Sequence, residues 1–342
     1  MLDYLEALYD AFDADARAAG GPVDRCYDLG GVRVLVRLAT PALSSFTRAL
    51  EHRSSAAGET GLAVCVGGGD AAPAPPFLAM AGEWSPRRRP PVGADTDGGP
   101  VRALYVGTTG ALSMLDVQGR RAIFWRNPRT ARPFEGAAPL LHILTWWLGR
   151  HRRYPIHAAA VGTLAGGVLV AGTGGAGKST TALACLDSPL LYAGDDYVLV
   201  SEDPPFVHSL YRSARVSAKQ LAGLPRVAAK IGTHGPVEFG KILIFVEQEY
   251  AQKPVAGFPL RAALTVRITG ELDSRLVAVP AVRTLDVLIP SSVIELPGLG
   301  RQGVQAIVRI VQSVPNYVLE AGTDLAQIPV VIARLLDGAH AP

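Results

Sequence analysis

Eight consecutive residues, Gly172-Thr173-Gly174-Gly175-Ala176-Gly177-Lys178-Ser179, follow the spacing G-x-x-x-x-G-K-S, and they restrict sharply what the surrounding chain can become. Glycines let the backbone turn with positive φ and approach phosphate oxygens closely. Successive N–H groups in such a turn form a nest for an anion, and a helix beginning near Lys178 adds its positive end. The lysine of this pattern reaches the β- and γ-phosphates of a nucleotide, and the hydroxyl of its serine ligates Mg²⁺. The flanks agree with the pattern. Residues 167–171 (Gly-Val-Leu-Val-Ala) read as a buried strand running into the loop, and 178–186 read as the helix leaving it. The expected nucleotide contacts are Gly172, Thr173, Gly174, Gly175, Ala176, Gly177, Lys178, Ser179 and Thr180, with ATP and Mg²⁺ as cofactors.

The next acidic residues narrow the chemistry. Asp195 and Asp196 end a strand expected at 190–193, the one after the loop's helix. Ligands of an open α/β sheet bind beyond the carboxyl ends of its strands, so the glycine loop and the acidic pair should emerge together. One carboxylate, with Ser179, holds the metal (Asp195 in the expected metal set), and the other takes a proton from an attacking hydroxyl. His157 begins the strand pair before the loop; taken alone, such a histidine reads as a packed core residue. Arg212 and Arg215 follow the acidic strand, where either would neutralise charge on a transferred phosphoryl group, although a solvated loop fits them equally. Glu238 and Lys241 form a further polar cluster before a strand, and Trp146-Trp147 read as packing. No N-K-x-D guanine-reading motif and no L-S-G-G-Q signature follows, which argues against a GTPase and a transporter ATPase.

Composition sets the remaining limits. A chain of 342 residues permits one large domain or two modest ones. With 49% hydrophobic and 18% charged residues it has the composition of a packed protein. The net charge of +3 is scattered, so nucleic acid is not an expected partner, and Arg87-Arg88-Arg89, set among prolines, reads as a solvated loop. Cys26, Cys65 and Cys185 are odd in number and contain no C-x-x-C, which points to a reducing cytosol rather than to disulfides or zinc. Asp3, Glu6 and Asp10 stand where a signal peptide would be basic, and no apolar run reaches the roughly 20 residues of a spanning helix. The expectation is a cytoplasmic protein with no membrane partner, and a homo-oligomer is compatible with it.

Periodicity divides the chain. An amphipathic helix opens it (Leu2, Leu5, Leu8, Phe12), a strand is expected at 32–38, and short strands at 103–106, 111–117 and 122–125 resemble an antiparallel meander. Segments 58–69, 71–76 and above all 86–100 are rich in Gly, Ala and Pro, the last reading as a loop. A helix is expected at 139–150. Strands follow at 156–161, 167–171, 190–193, 197–201, 241–247, 262–267, 277–280 and 317–319, with helices at 178–186, 304–313 and 324–336, the last capped by Thr323. The fold class is therefore α/β, with a small α+β domain of unassigned role at 1–138 and a nucleotide-binding domain at 139–342.

His157, the glycine loop and Gly194-Asp195-Asp196, in that order, resemble the HPr kinase/phosphorylase family, bacterial serine kinases whose P-loop core is related to phosphoenolpyruvate carboxykinase. The resemblance covers about 150–200 well and the rest of the second half loosely. It implies a mixed sheet with helices, Lys178 and Ser179 on phosphates and metal, one of Asp195 and Asp196 as base, and His157 as a functional histidine. The family usually carries an acidic residue where this chain has Thr180, and its N-terminal domain has no match in the first half. The divergent members that serve lasso-peptide and other ribosomal-peptide pathways are more similar; the His-Ala-Ala-Ala-Val entry and Ser209-Leu210-Tyr211 look like theirs. The resulting expectation is an ATP/Mg²⁺-dependent kinase of a hydroxyl, serine above all, on a peptide, protein or small molecule. The alternatives are a small-molecule (serine or sugar) kinase and a nucleotide-binding regulatory module.

Overall fold

The computed structural model describes residues 1–56, 58–69, 100–107, 109–231 and 235–338. The Gly/Ala/Pro-rich segment 71–76, all but the last residue of the loop expected at 86–100 and the Arg87-Arg88-Arg89 run lie outside the described residues. Contacts divide the chain into two units, Met1–His151 and Arg152–Pro342.

In the first unit, α1 (Leu2–Ala18) buries Leu5, Leu8, Phe12 and Ala16, one face at helical spacing. A hairpin follows, β1 (Val23–Leu29) and β2 (Val32–Leu38), joined through Gly30 and Gly31 at φ 67° and 86°. Both turn residues thus occupy the left-handed region that a two-residue hairpin turn needs. β3 (Leu62–Gly68) pairs parallel with β2 and with β6 (Arg121–Arg126), while β4 (Val101–Val106), β5 (Ala111–Asp116) and β6 form the expected antiparallel meander. Among the described residues the strand order is β1-β2-β3-β6-β5-β4. The buried face of α1 packs on Cys65, Ala103, Leu112, Met114, Ile123 and Trp125. α2 (Leu141–Arg150) packs on β5, which is why the division falls after His151 and not at the expected 138/139.

The second unit begins with β7 (Tyr154–Ile156), β8 (Ala159–Thr163), β9 (Gly166–Ala171), α3 (Lys178–Ala184), β10 (Leu191–Gly194), β11 (Val198–Glu202) and β12 (Pro205–His208). Then come β13 (Ser213–Ser217), α4 (Ala218–Ala222), α5 (Pro225–Ile231), β14 (Val237–Glu238), β15 (Lys241–Phe245), α6 (Val246–Glu249) and β16 (Gly257–Ile268). The unit closes with β17 (Arg275–Ala278), α7 (Ala281–Glu295), α8 (Gly300–Gln312), β18 (Asn316–Ala321) and α9 (Gln327–Leu336). β16 pairs parallel with β9 and β18. β8 is antiparallel to both β9 and β10, so β10 runs in the same direction as β9. The carboxyl ends of β9, β10, β16 and β18 therefore share one edge, and β8 begins there. All six residues of β9 are buried, as in a strand covered on both faces. Val168 and Val170 join the core formed with Leu183, Leu186, Ile328 and Ile332 from the α3 and α9 side, and α7 packs on β9, β16 and β18.

Several elements differ from expectation. The strand expected at 156–161 is broken at His157-Ala158, because β7 pairs with β11 whereas β8 joins β9 and β10. The helix after the glycine loop turns into a 3-10 turn, Cys185–Asp187. α9 starts at Gln327 without a side-chain cap, since the Thr323 amide bonds the Glu271 carbonyl (2.7 Å) instead of entering a helix. β1, β3, β12, β13 and α7 were not legible as such; α7 carries Pro290, a residue that argues against a helix interior. No helix among the described residues is long and apolar enough to cross a membrane.

Candidate functional site

The glycine loop leaves β9 at the shared edge. Gly175 and Gly177 stand at φ 82° and 110°. A Cβ on Gly177 would sit 3.0 Å from Val266 Cγ1, so that position is closed to side chains on two counts. The Lys178 side chain is buried, and its Nζ donates to the Gly172 carbonyl at 2.7 Å. Burial lowers its pKa; the charges of Asp195 and Asp196 act against that, and Lys241 acts with it. Thr180 Oγ1 accepts from Gln220 Nε2 (3.2 Å), and Gln220 also closes a capping box with Ser217 at the start of α4. That tie holds the first turn of α3 against β13 and α4.

Asp195 and Asp196 follow β10 at the same edge. Gly194 makes the turn possible: a Cβ there would meet Val198 Cγ1 at 2.9 Å. Asp195 is 2% exposed, and neither carboxylate oxygen has a hydrogen-bond partner among the described residues. Burial first, then the charge of Asp196, push its pKa up to about 6. The Ser179 hydroxyl, the Asp196 backbone N–H and the charge of Lys178 oppose this from close by, the first two without completing a hydrogen bond. Asp196 adopts φ 62°, in the left-handed region that Asp and Asn tolerate better than most residues. Its Oδ2 accepts from Arg215 Nε at 2.6 Å, and its Oδ1 lies 3.8 Å from His157 Nε2, too far for a hydrogen bond but within electrostatic reach. Burial alone would raise the Asp196 pKa; His157 and Arg215 outweigh it and hold the carboxyl well below the usual range.

His157 occupies the break between β7 and β8. Its backbone N–H donates to Ser292 Oγ of α7 (3.1 Å), its ring is tilted against Tyr197 with centroids 5.6 Å apart, and its Nδ1 is buried without a partner among the described residues. The Tyr197 hydroxyl donates to Glu295 Oε2 at 3.2 Å. Glu295 ends α7 and acts electrostatically on Lys178.

The structure thus brings His157, Lys178, Ser179, Asp195, Asp196 and Arg215 together. Arg212 is placed elsewhere: its Nε lies 3.1 Å from Glu247 Oε1, an ion pair out of line for a hydrogen bond. Sequence reasoning missed Tyr197, Gln220 and Glu295. The spacing Ser217-x-x-Gln220 was a readable capping signal; nothing local announced Glu295, which arrives on α7. A groove of about 770 Å³ lined by Leu224, Val227, Pro329 and Val330 shares no residue with this site.

The donor set fits a nucleotide-bound divalent cation. Two buried, unpartnered oxygens on Asp195 suit a cation. Among the described residues no three His, Cys, Asp or Glu side chains converge on a metal position. A protein cage is not needed for Mg²⁺, which is commonly held by one or two side chains together with phosphates and water.

No family model and no curated protein matches the chain. Among solved structures it is similar to the Hpr(Ser) kinase/phosphatase from Coxiella burnetii, at 12% identity over 54% of this chain and 95% of that one, with a TM-score of 0.30. A superposition so loose carries no weight for function, which rests on the residues above.

Proposed function

We propose that this chain is an ATP- and Mg²⁺-dependent phosphotransferase acting on a hydroxyl, that of a serine in a peptide or protein, a ribosomally made precursor peptide being one such acceptor. One observation carries the reading: Asp195, a buried carboxylate with neither oxygen hydrogen-bonded among the described residues, lies within electrostatic reach of Lys178 on the glycine loop and of a second carboxylate held ionised. A carboxylate buried in this way, beside a glycine loop, suits a site that takes up a cation with a phosphate.

Bound ATP supplies the phosphoryl group, and Mg²⁺ neutralises charge on its phosphates. Ser179 and Asp195 hold the metal. Lys178 exchanges the Gly172 carbonyl for phosphate oxygens. Asp196 receives the acceptor's proton through Oδ1, while Arg215 fixes Oδ2 and His157 lies beside the receiving oxygen. A carboxylate so far below the usual range is a weak base. It therefore orients the hydroxyl and accepts its proton late, as a loose transition state permits.

The test is incubation of the protein with γ-labelled ATP, Mg²⁺ and, in turn, serine-containing peptides, cell extract, free serine and sugars. Label on a peptide or protein serine is the expected result. Label confined to a free metabolite would change the acceptor class, and nucleotide binding with no labelled product at all would make the chain a regulatory module.

A further inference from the structure

Lys241 has no part in the roles above, yet it stands in the same place. β13 and β15 are antiparallel with Ser217 opposite Lys241 and Arg215 opposite Leu243. Residues directly opposite one another share a face of the sheet, and residues two apart on a strand do so too. Lys241 therefore lies on the face of Arg215, whose guanidinium reaches Asp196 at 2.6 Å. That face is also tied to the glycine loop, because α4, capped by Ser217, holds Thr180 through Gln220. The position of Lys241 is set by a two-residue turn: Glu238 pairs with Lys241, and Phe239 and Gly240 between them have φ 50° and 70°. Paired left-handed residues of this kind make the tightest hairpin connection. Among the described residues the Lys241 ammonium forms no hydrogen bond and no ion pair, and its charge bears on Lys178. At Lys178 the charge of Lys241 opposes those of Asp195, Asp196 and Glu295, and a phosphate brought to the glycine loop would be attracted by both lysines. Arg212 and Arg215, the cations that the sequence offers for this task, are engaged by Glu247 and Asp196.

Resting on the phosphotransferase reading, we propose that Lys241 binds the terminal phosphate of the nucleotide, so that the β14–β15 hairpin supplies the cation opposite Lys178. The consequence is selectivity for a triphosphate over a diphosphate, since the diphosphate lacks the group that Lys241 contacts.

Calorimetric titration of the full chain with Mg-ADP and with the Mg complex of the β,γ-imido analogue of ATP tests this. The variants are Lys241→Met, which keeps the aliphatic stem, Lys241→Arg and Lys178→Ala, each checked for folding by circular dichroism. Lys241→Gln carries the same test should Lys241→Met fold poorly. Lys241→Met is expected to weaken the analogue about tenfold or more, the scale of one charged hydrogen bond, and to leave ADP within about twofold. Lys241→Arg should restore most of the difference. Unchanged analogue affinity in Lys241→Met overturns the assignment, as does an equal loss for both nucleotides, which a merely structural lysine would produce. Wild-type protein that binds neither nucleotide, or Lys178→Ala that binds as wild type does, overturns the glycine-loop reading itself; normal wild-type binding with an indifferent Lys241 overturns only the present inference.

Discussion

Asp195 and Asp196 are adjacent yet differ in proton affinity, because among the described residues one has no hydrogen-bond partner on its carboxylate and the other faces Arg215 and His157. Asp195 is raised from 3.8 to about 6 by burial and by its neighbour's charge. The folded protein therefore keeps a proton that the unfolded chain releases, and stability falls as pH rises through that interval. Asp195→Asn should then stabilise the nucleotide-free protein at pH 7, by up to about 3 kcal/mol, with the gain gone near pH 4. Thermal melts across pH check this, and a gain equal at both ends would remove the ionised carboxylate from the explanation. For Asp196 the sign is opposite: its pKa is depressed, so its pairing contributes stability above the ordinary aspartate range and is lost in acid. Asp196→Asn keeps the shape and tolerates the left-handed backbone. Nucleotide affinity should stay within a few-fold while transfer falls by about 10²–10⁴. Transfer at the wild-type rate would show that Asp196 is not the base.

At the scale of elements, the glycine loop depends on where β16 passes it. Gly177 combines φ 110° with Val266 at 3.0 Å, whereas the Cβ position of Gly174 has nothing within 4 Å. Gly177→Ala should cost about 1–3 kcal/mol in a chemical melt and weaken nucleotide binding. Gly174→Ala should stay within about 0.5 kcal/mol of wild type in stability. Equal effects of the two substitutions would mean that the loop is not held by β16. The loop, α3 and the acidic pair were legible because each lies within a few residues of a strand end. The His157 break was not, since it reflects which strands β7 and β8 join, a choice made by β11 and β9 far along the chain. α7 was hidden by Pro290, and its packing on β9, β16 and β18 overrides the local preference.

At the scale of the whole molecule, ligand binding should be visible as stability. Mg-ATP at about a hundred times its dissociation constant should stabilise the protein by about 2.7 kcal/mol, and Lys178→Ala should show no such shift. A thermal melt with and without nucleotide measures both. Among the described residues Met1–His151 holds one sheet and Arg152–Pro342 holds two, and the proposed chemistry lies entirely in the second unit.

The amino-acid order by itself determined the strand–loop–helix around Lys178, the acidic pair one strand later and the α/β class. These follow from spacing and periodicity, which act over a few residues. Tertiary structure decided the remainder: that Arg215 and not Arg212 meets Asp196, that the Asp195 carboxylate has no hydrogen-bond partner among the described residues, that Glu295 and Lys241 come within electrostatic reach of Lys178, and that His157 stands in a gap between strands. Charge state and pairing depend on burial and on neighbours brought from distant segments. Local pattern holds no record of either.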